Sequence, residues 1–94
     1  MTDRELLELA AKACGLEEAK LRIEFNQWNP LTDDGDALRL AVQLRLEIGF
    51  PSEDCVWSFG RFGEVCKERP EPYPYAATRR AIVRAAAEIG RTTP

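Results

Sequence analysis

The stretch that decides the fold is CVWSFGRFGEVC, residues 55–66. Two runs rich in β-branched and aromatic residues flank Gly60-Arg61, a pattern typical of a β-hairpin. Glycine at the first turn position favours a two-residue type II′ turn, because that position needs a positive φ. In this register three cross-strand pairs are predicted: Phe59 with Phe62, Trp57 with Glu64, and Cys55 with Cys66.

A further strand is predicted upstream of the hairpin, over residues 21–25, where the apolar period is two. Leu21, Ile23 and Phe25 alternate there with charged residues. Alternation of this kind indicates a strand with one buried face. The asparagine-rich turn up to Pro30 ends it, because proline cannot donate a hydrogen bond and asparagine favours turns.

Three other segments have the helical period. A capping box formed by Thr2 and Glu5 opens the first, and glycine ends it. The second begins at Thr32, Asp33 or Asp34 and ends at Gly49, with its acids at the positive end of the helix dipole. A proline-rich connector, residues 69–74, precedes the third. The first and third helices are predicted at about residues 3–14 and 75–89.

The predicted fold is therefore α+β, in the order α-β-α-β-β-α, as a single domain over residues 1–94. A small, mainly antiparallel three-stranded sheet carries three helices in two layers. An α-β-α sandwich is the alternative, because the alanine-rich helices are thin enough to lie on both faces. Four residues are expected in the core: Ile23, Leu38, Leu44 and Ile82.

Charge and composition exclude several classes of function. The chain has a net charge of −3, with ten acids and six bases in residues 1–47 and six acids and seven bases in residues 48–94. An acidic surface argues against nucleic acid, which needs a cationic partner. No apolar run reaches the roughly 20 residues that span a bilayer. A surface of mixed charge favours a protein partner.

The sequence contains no set of residues typical of catalysis, of metal binding or of cofactor binding. Histidine is absent, and three cysteines stand in no metal-ligand spacing. Asp33, Asp34 and Asp36 suggest a cation loop, but a calcium loop needs a glutamate at its twelfth position, where this chain has Leu44. Helix capping explains these acids better. We therefore expect neither an enzyme nor a cofactor.

Two stretches carry a resemblance to a known group. They are WNPLTDDGDALRLAV, residues 28–42, and AATRRAIVRAAAEIG, residues 76–90, to which ELLELAAKA at residues 5–13 adds. They resemble small proteins encoded by phages and prophages of Gram-negative bacteria, broadly NinX-like. The resemblance implies a phage-derived protein in the cytoplasm of a bacterial host, as the charged start without a signal peptide also suggests. Residues 50–72 lie outside it.

These observations lead to a hypothesis of function. The chain is expected to be a phage accessory protein that binds a bacterial macromolecule, above all a protein, and inhibition of a host defence such as CRISPR is one form of that role. A small-ligand binding or sequestering protein is the alternative. The oligomeric state stays open. The candidate protein-binding residues are Trp57, Phe59 and Arg61 in the hairpin, with Asp33, Asp34 and Asp36.

The first testable prediction concerns metal. Because no ligand set couples ion binding to folding, treatment with a chelator should leave the melting temperature unchanged. A thermal melt followed by circular dichroism, with and without the chelator, measures this. A fall of more than a few degrees would contradict the assignment of the aspartates to helix capping.

Overall fold

The computed structural model describes residues 1–60, 63 and 65–93. Within these residues the chain forms four helices and three strands. In chain order they are α1 (Asp3–Ala13), α2 (Ala19–Glu24), α3 (Asp34–Leu44), β1 (Glu47–Ser52), β2 (Cys55–Phe59), β3 (Val65–Glu68) and α4 (Pro74–Thr92).

The three strands form one antiparallel sheet in the order β1-β2-β3, and the helices lie on one side of it. Helix α4 packs on β2 and β3, and α1 and α3 pack on α4. The α+β class and the three-stranded antiparallel sheet are thus confirmed. None of the helices in the described part of the chain is both long and apolar enough to cross a bilayer.

The strand predicted over residues 21–25 is wrong, because the chain forms α2 there. A short alternating run does not distinguish strand from helix by period alone. Ala19 to Arg22 are good helix formers, and α2 packs mainly beside another helix, α1. None of its residues is buried.

The sheet still has three strands, because residues that were predicted to form the end of the second helix form β1. Helix α3 stops at Leu44, where Arg45 adopts a left-handed conformation with φ 54°. The Leu46 amide then donates to the Ala41 carbonyl at 2.9 Å, a closure typical of helix ends. Ile48 consequently lies in β1. The order of elements is α-α-α-β-β-β-α and not α-β-α-β-β-α.

The hairpin of β2 and β3 is confirmed, but its predicted two-residue turn and register are wrong. The paired residues are Phe59 with Val65, Ser58 with Cys66, and Trp57 with Lys67. Five residues, 60–64, therefore separate the strands, and the Gly63 amide donates to the Gly60 carbonyl at 3.0 Å. Gly63 has φ 92°, which favours glycine at the end of a longer loop. The predicted contacts of Phe62 and Glu64 lie outside the described residues.

The core lies around α4 and consists largely of alanine. Of the four residues expected there, Ile82 is buried, Ile23 and Leu44 are half-buried, and Leu38 is 61% exposed. Leu38 is exposed because Leu40 and two alanines of α3 already form the buried stripe. The main cluster of buried residues comprises Leu6, Ala10, Ala37, Leu40, Ala41, Ile82, Val83, Ala86 and Ala87.

Gly90 is the point of closest approach between α4 and α1. It was predicted to end the last helix, but α4 continues through it to Thr92. A Cβ atom at Gly90 would lie 1.9 Å from the Leu9 carbonyl oxygen. Only glycine fits this site without moving one backbone against the other.

We expect Gly90→Ala to lower the free energy of unfolding by about 1–3 kcal/mol, as overpacking of a core does. In an open helix the same change would stabilise by nearly 1 kcal/mol. Gly35→Ala in the first turn of α3 is the control, because a Cβ there would meet flexible side-chain ends at 3.2 Å. Denaturant unfolding measures both. If the two substitutions change the free energy of unfolding equally, the close approach of α4 to α1 at Gly90 does not limit the size of the residue there.

Candidate protein-binding surfaces

The acidic cluster at the start of α3 is mainly structural. Asp33 caps the helix, and its Oδ2 accepts a hydrogen bond from the Asp36 amide at 2.7 Å. Asp36 accepts from the Asn29 amide at 2.9 Å and from the Arg39 guanidinium at 2.7 Å. These two carboxylates therefore fix the turn before α3 and the first turn of the helix.

Asp34 is the most exposed of the three aspartates, since its side chain is 76% exposed against 58% for Asp33 and 15% for Asp36. Its Oδ1 accepts from Nη1 of Arg79 at 2.6 Å, and Nε of Arg79 donates to the Leu31 carbonyl at 2.8 Å. The Arg79 side chain is 19% exposed and that of Asp34 is 76% exposed. The pair joins α4 to the start of α3, and the charge it presents to solvent is the negative one.

Trp57 and Phe59 lie on the outer face of the sheet, opposite the helices. Val56 and Ser58 point inward and are fully buried, so their neighbours along β2 point outward. The Trp57 ring covers Gly49 of β1, where a Cβ atom would lie 2.6 Å from Cζ2. Trp57 also meets the Phe59 ring edge-on, with the centroids 5.8 Å apart.

The outer face is thus only partly available for contact. Trp57 is half-buried, and Phe59 and Val65 are exposed. Arg61, the remaining hairpin residue predicted to bind, lies outside the described residues. The acidic cluster and the hairpin do not form one surface, because the aspartates lie at the start of α3, on the helical side of the sheet, and the aromatic rings point away from it.

A second surface, which the sequence did not indicate, is a groove between β1, α3 and α4. Helix α4 covers β2 and β3 but leaves two side chains of β1, Ile48 and Phe50, exposed. They form one wall, and α3 and α4 form the others. The groove encloses about 320 Å³, and its lining is Asp34, Ala37, Leu38, Ile48, Phe50, Pro74, Tyr75, Thr78, Arg79 and Ile82.

The side chains of this groove are apolar and unusually exposed. Leu38 is 61% exposed, Phe50 64% and Tyr75 76%. Val42, one turn after Leu38 on α3, is exposed too. A contiguous apolar patch of this kind marks an interaction site more often than scattered exposed residues do. We call Leu38, Phe50 and Tyr75, which line the groove, the groove anchors.

The sequence held one signal for the groove anchors. Residues 37–44 of α3 place apolar side chains over more than half of the helix circumference, a wider stripe than one packed face needs. Leu38 was nevertheless expected in the core. The position of Phe50 and Tyr75 beside Leu38 depends on the chain reversal after Leu44, which no local pattern indicates.

Two observations concern metal binding and thiol chemistry. No group of three or more cysteine, aspartate or glutamate side chains among them is placed to hold a metal ion. Burial raises the pKa of the Cys14 thiol, so this cysteine stays protonated and is a poor nucleophile. Cys66 is paired in register with Ser58 and does not face Cys55.

Comparisons with protein-family models, with curated proteins and with solved structures gave no match. The resemblance of residues 28–42 and 76–90 to NinX-like phage proteins therefore stays a prediction.

We expect Trp57→Ala to lower the free energy of unfolding by about 1–3 kcal/mol, less than the 3–5 kcal/mol of a fully buried tryptophan. The ring covers Gly49, so its loss exposes the backbone of β1. Phe59→Ala should cost less, because Phe59 is the more exposed of the two. Urea unfolding compares them. A negligible effect of Trp57→Ala would show that the contact of the ring with Gly49 does not stabilise the fold.

Proposed function

We propose that this chain acts by binding another protein, as a phage-encoded accessory protein whose contact surface is the groove between β1, α3 and α4. The observation that carries this proposal is the exposure of the groove anchors around one concavity. Exposed apolar side chains that share one surface lose their contact with water when a partner covers them, and this burial drives association.

The shape of the groove favours a protein over a small molecule. Pockets for small molecules enclose most of the ligand surface within roughly 300–1,000 Å³. This groove lies at the lower limit of that range, and Leu38, Phe50 and Tyr75 stand at its rim with more than half of their surface exposed. A partner that covers those outer surfaces gains more than a ligand seated between them.

A small-ligand binding protein remains the second candidate, and one observation favours it. The groove contains a few polar groups among apolar ones, namely the Asp34–Arg79 pair and the Thr78 hydroxyl, which donates to the Pro74 carbonyl at 2.7 Å. Such a composition is typical of ligand sites. A thermal shift with nucleotides and with small aromatic compounds tests it.

Inhibition of a host defence such as CRISPR is the most specific form of the proposal. It rests on the resemblance of residues 28–42 and 76–90 to phage proteins, together with the absence of histidine. A protein of this kind works by occupying a surface that its target needs. The proposal therefore requires a bacterial protein that binds this chain through the groove.

The test is affinity capture from a bacterial lysate with the wild-type chain and with Leu38→Gln/Phe50→Gln. Burial of a leucine and a phenylalanine contributes several kcal/mol to binding, so we expect at least a tenfold loss of the captured protein. Quantitative mass spectrometry measures the loss.

The matched control is Leu21→Gln/Phe25→Gln, which removes a leucine and a phenylalanine of similar exposure, 53% and 67%, from the region of α2. This variant should capture the partner as the wild type does. If both variants lose the partner equally, or if neither does, the groove is not the binding surface. Circular dichroism confirms that each variant is folded.

A further inference from the structure

We propose that the occupant of the groove is a short basic segment of a partner protein, with two or three large apolar side chains next to lysine or arginine. This inference rests on the proposed function and specifies the chemistry of the partner. Two features carry it: the apolar walls of the groove, and three exposed acids, of which Asp34 lines the groove and Glu53 and Asp54 follow the end of β1.

The apolar walls of the groove determine how many apolar side chains of the partner can bind there. Ile48 and Phe50 on β1 face Leu38 on α3 and Tyr75 on α4 across about 320 Å³ of space. Side chains of the size of leucine or phenylalanine are small enough for two or three of them to share this volume. Because β1 is an edge strand, the segment has access to the groove from the open side of the sheet.

The charge lies at the end where α3 begins and β1 ends. The connection of Arg45 and Leu46 reverses the chain, so Phe50 lies beside the start of α3 and lines the groove together with Asp34. Asp34 presents an exposed carboxylate there, because its partner Arg79 is largely shielded. Glu53 and Asp54 follow β1 directly and are both exposed.

The opposite end carries both signs of charge, because Arg45 between α3 and β1 and Glu47 at the start of β1 are both exposed. A partner segment with its lysine or arginine residues toward Asp34, Glu53 and Asp54 meets opposite charge, and the reverse orientation meets no net charge. Pairing of this kind fixes orientation and speeds association more than it adds affinity. The groove thus has a direction as well as an apolar content.

A second copy of this chain fits the groove less well. A two-fold contact brings the same surface of both copies together and needs that surface to be self-complementary. A concave groove set against itself leaves a cavity, and each chain has a net charge of −3 that opposes association. A basic segment from another protein fills the groove and neutralises its acidic end.

The test uses the full chain, immobilised, and a displayed library of random twelve-residue peptides as the probe. We expect the enriched peptides to share two or more large apolar residues and a net positive charge. One enriched peptide is then synthesised with a fluorophore, and its dissociation constant is measured by fluorescence polarisation. We expect weaker binding at higher salt, since charges contribute.

Two pairs of variants separate the apolar from the charged contribution. Leu38→Gln/Phe50→Gln should weaken binding at least tenfold, and Leu21→Gln/Phe25→Gln should not change it. Glu53→Lys/Asp54→Lys should weaken binding about three- to tenfold, as rim charges do. Its control, Glu17→Lys/Glu24→Lys, makes the same change of net charge at exposed acids away from the groove and should have no such effect.

Each other outcome overturns the proposal. Neutral or acidic peptides that still depend on Leu38 and Phe50 would leave protein binding by the groove intact but exclude a basic partner. Peptides that bind Leu38→Gln/Phe50→Gln as tightly as Leu21→Gln/Phe25→Gln would show that the groove is not the binding surface. A library without enrichment would exclude a short linear segment. A dimer in sedimentation equilibrium that Leu38→Gln/Phe50→Gln abolishes would identify the occupant as a second copy.

Discussion

Helix α4 passes through the middle of the molecule, and its contact with α1 at Gly90 sets the position of the other elements. The two backbones approach so closely there that a single Cβ atom would lie 1.9 Å from the Leu9 carbonyl oxygen. Alanines along α4 extend the same close packing toward the sheet and toward α3. A short chain thereby builds a dense core from small side chains, because dispersion contacts accumulate when backbones lie near each other.

This arrangement explains why a groove exists at all. Helix α4 is a single helix, and the sheet is three strands wide, so one helix laid over β2 and β3 leaves β1 uncovered. Helix α3 packs on α4 with its alanine stripe and turns Leu38 and Val42 away from the core. The space between these elements is the place that a further element would fill, and we propose that a partner supplies that element.

The sequence predicts the class of fold well and the chain path poorly, for physical reasons. Capping signals are local, so the start of α1 at Thr2 is predicted correctly, and the start of α3 is predicted to within three residues, of which Asp33 is the cap. Residues 21–25 are misassigned because a five-residue apolar alternation fits both periods. The end of α3 depends on Arg45 in a left-handed conformation, which arginine rarely adopts and no pattern marks. The misassignment of β1 and the missed groove follow from that residue. The wrong hairpin register is a separate error, because five residues and not two separate β2 from β3.

The groove is also held rigid, and this bears on how so small a surface can bind. Arg79 joins α4 to both the Leu31 carbonyl and Asp34, so two walls of the groove are fixed to each other. The third wall, β1, is paired with β2, and the Trp57 ring packs on its outer side. A surface already held in its binding conformation loses little conformational entropy when a partner arrives. A few exposed anchors are then sufficient, because little of their burial free energy is offset by ordering the protein.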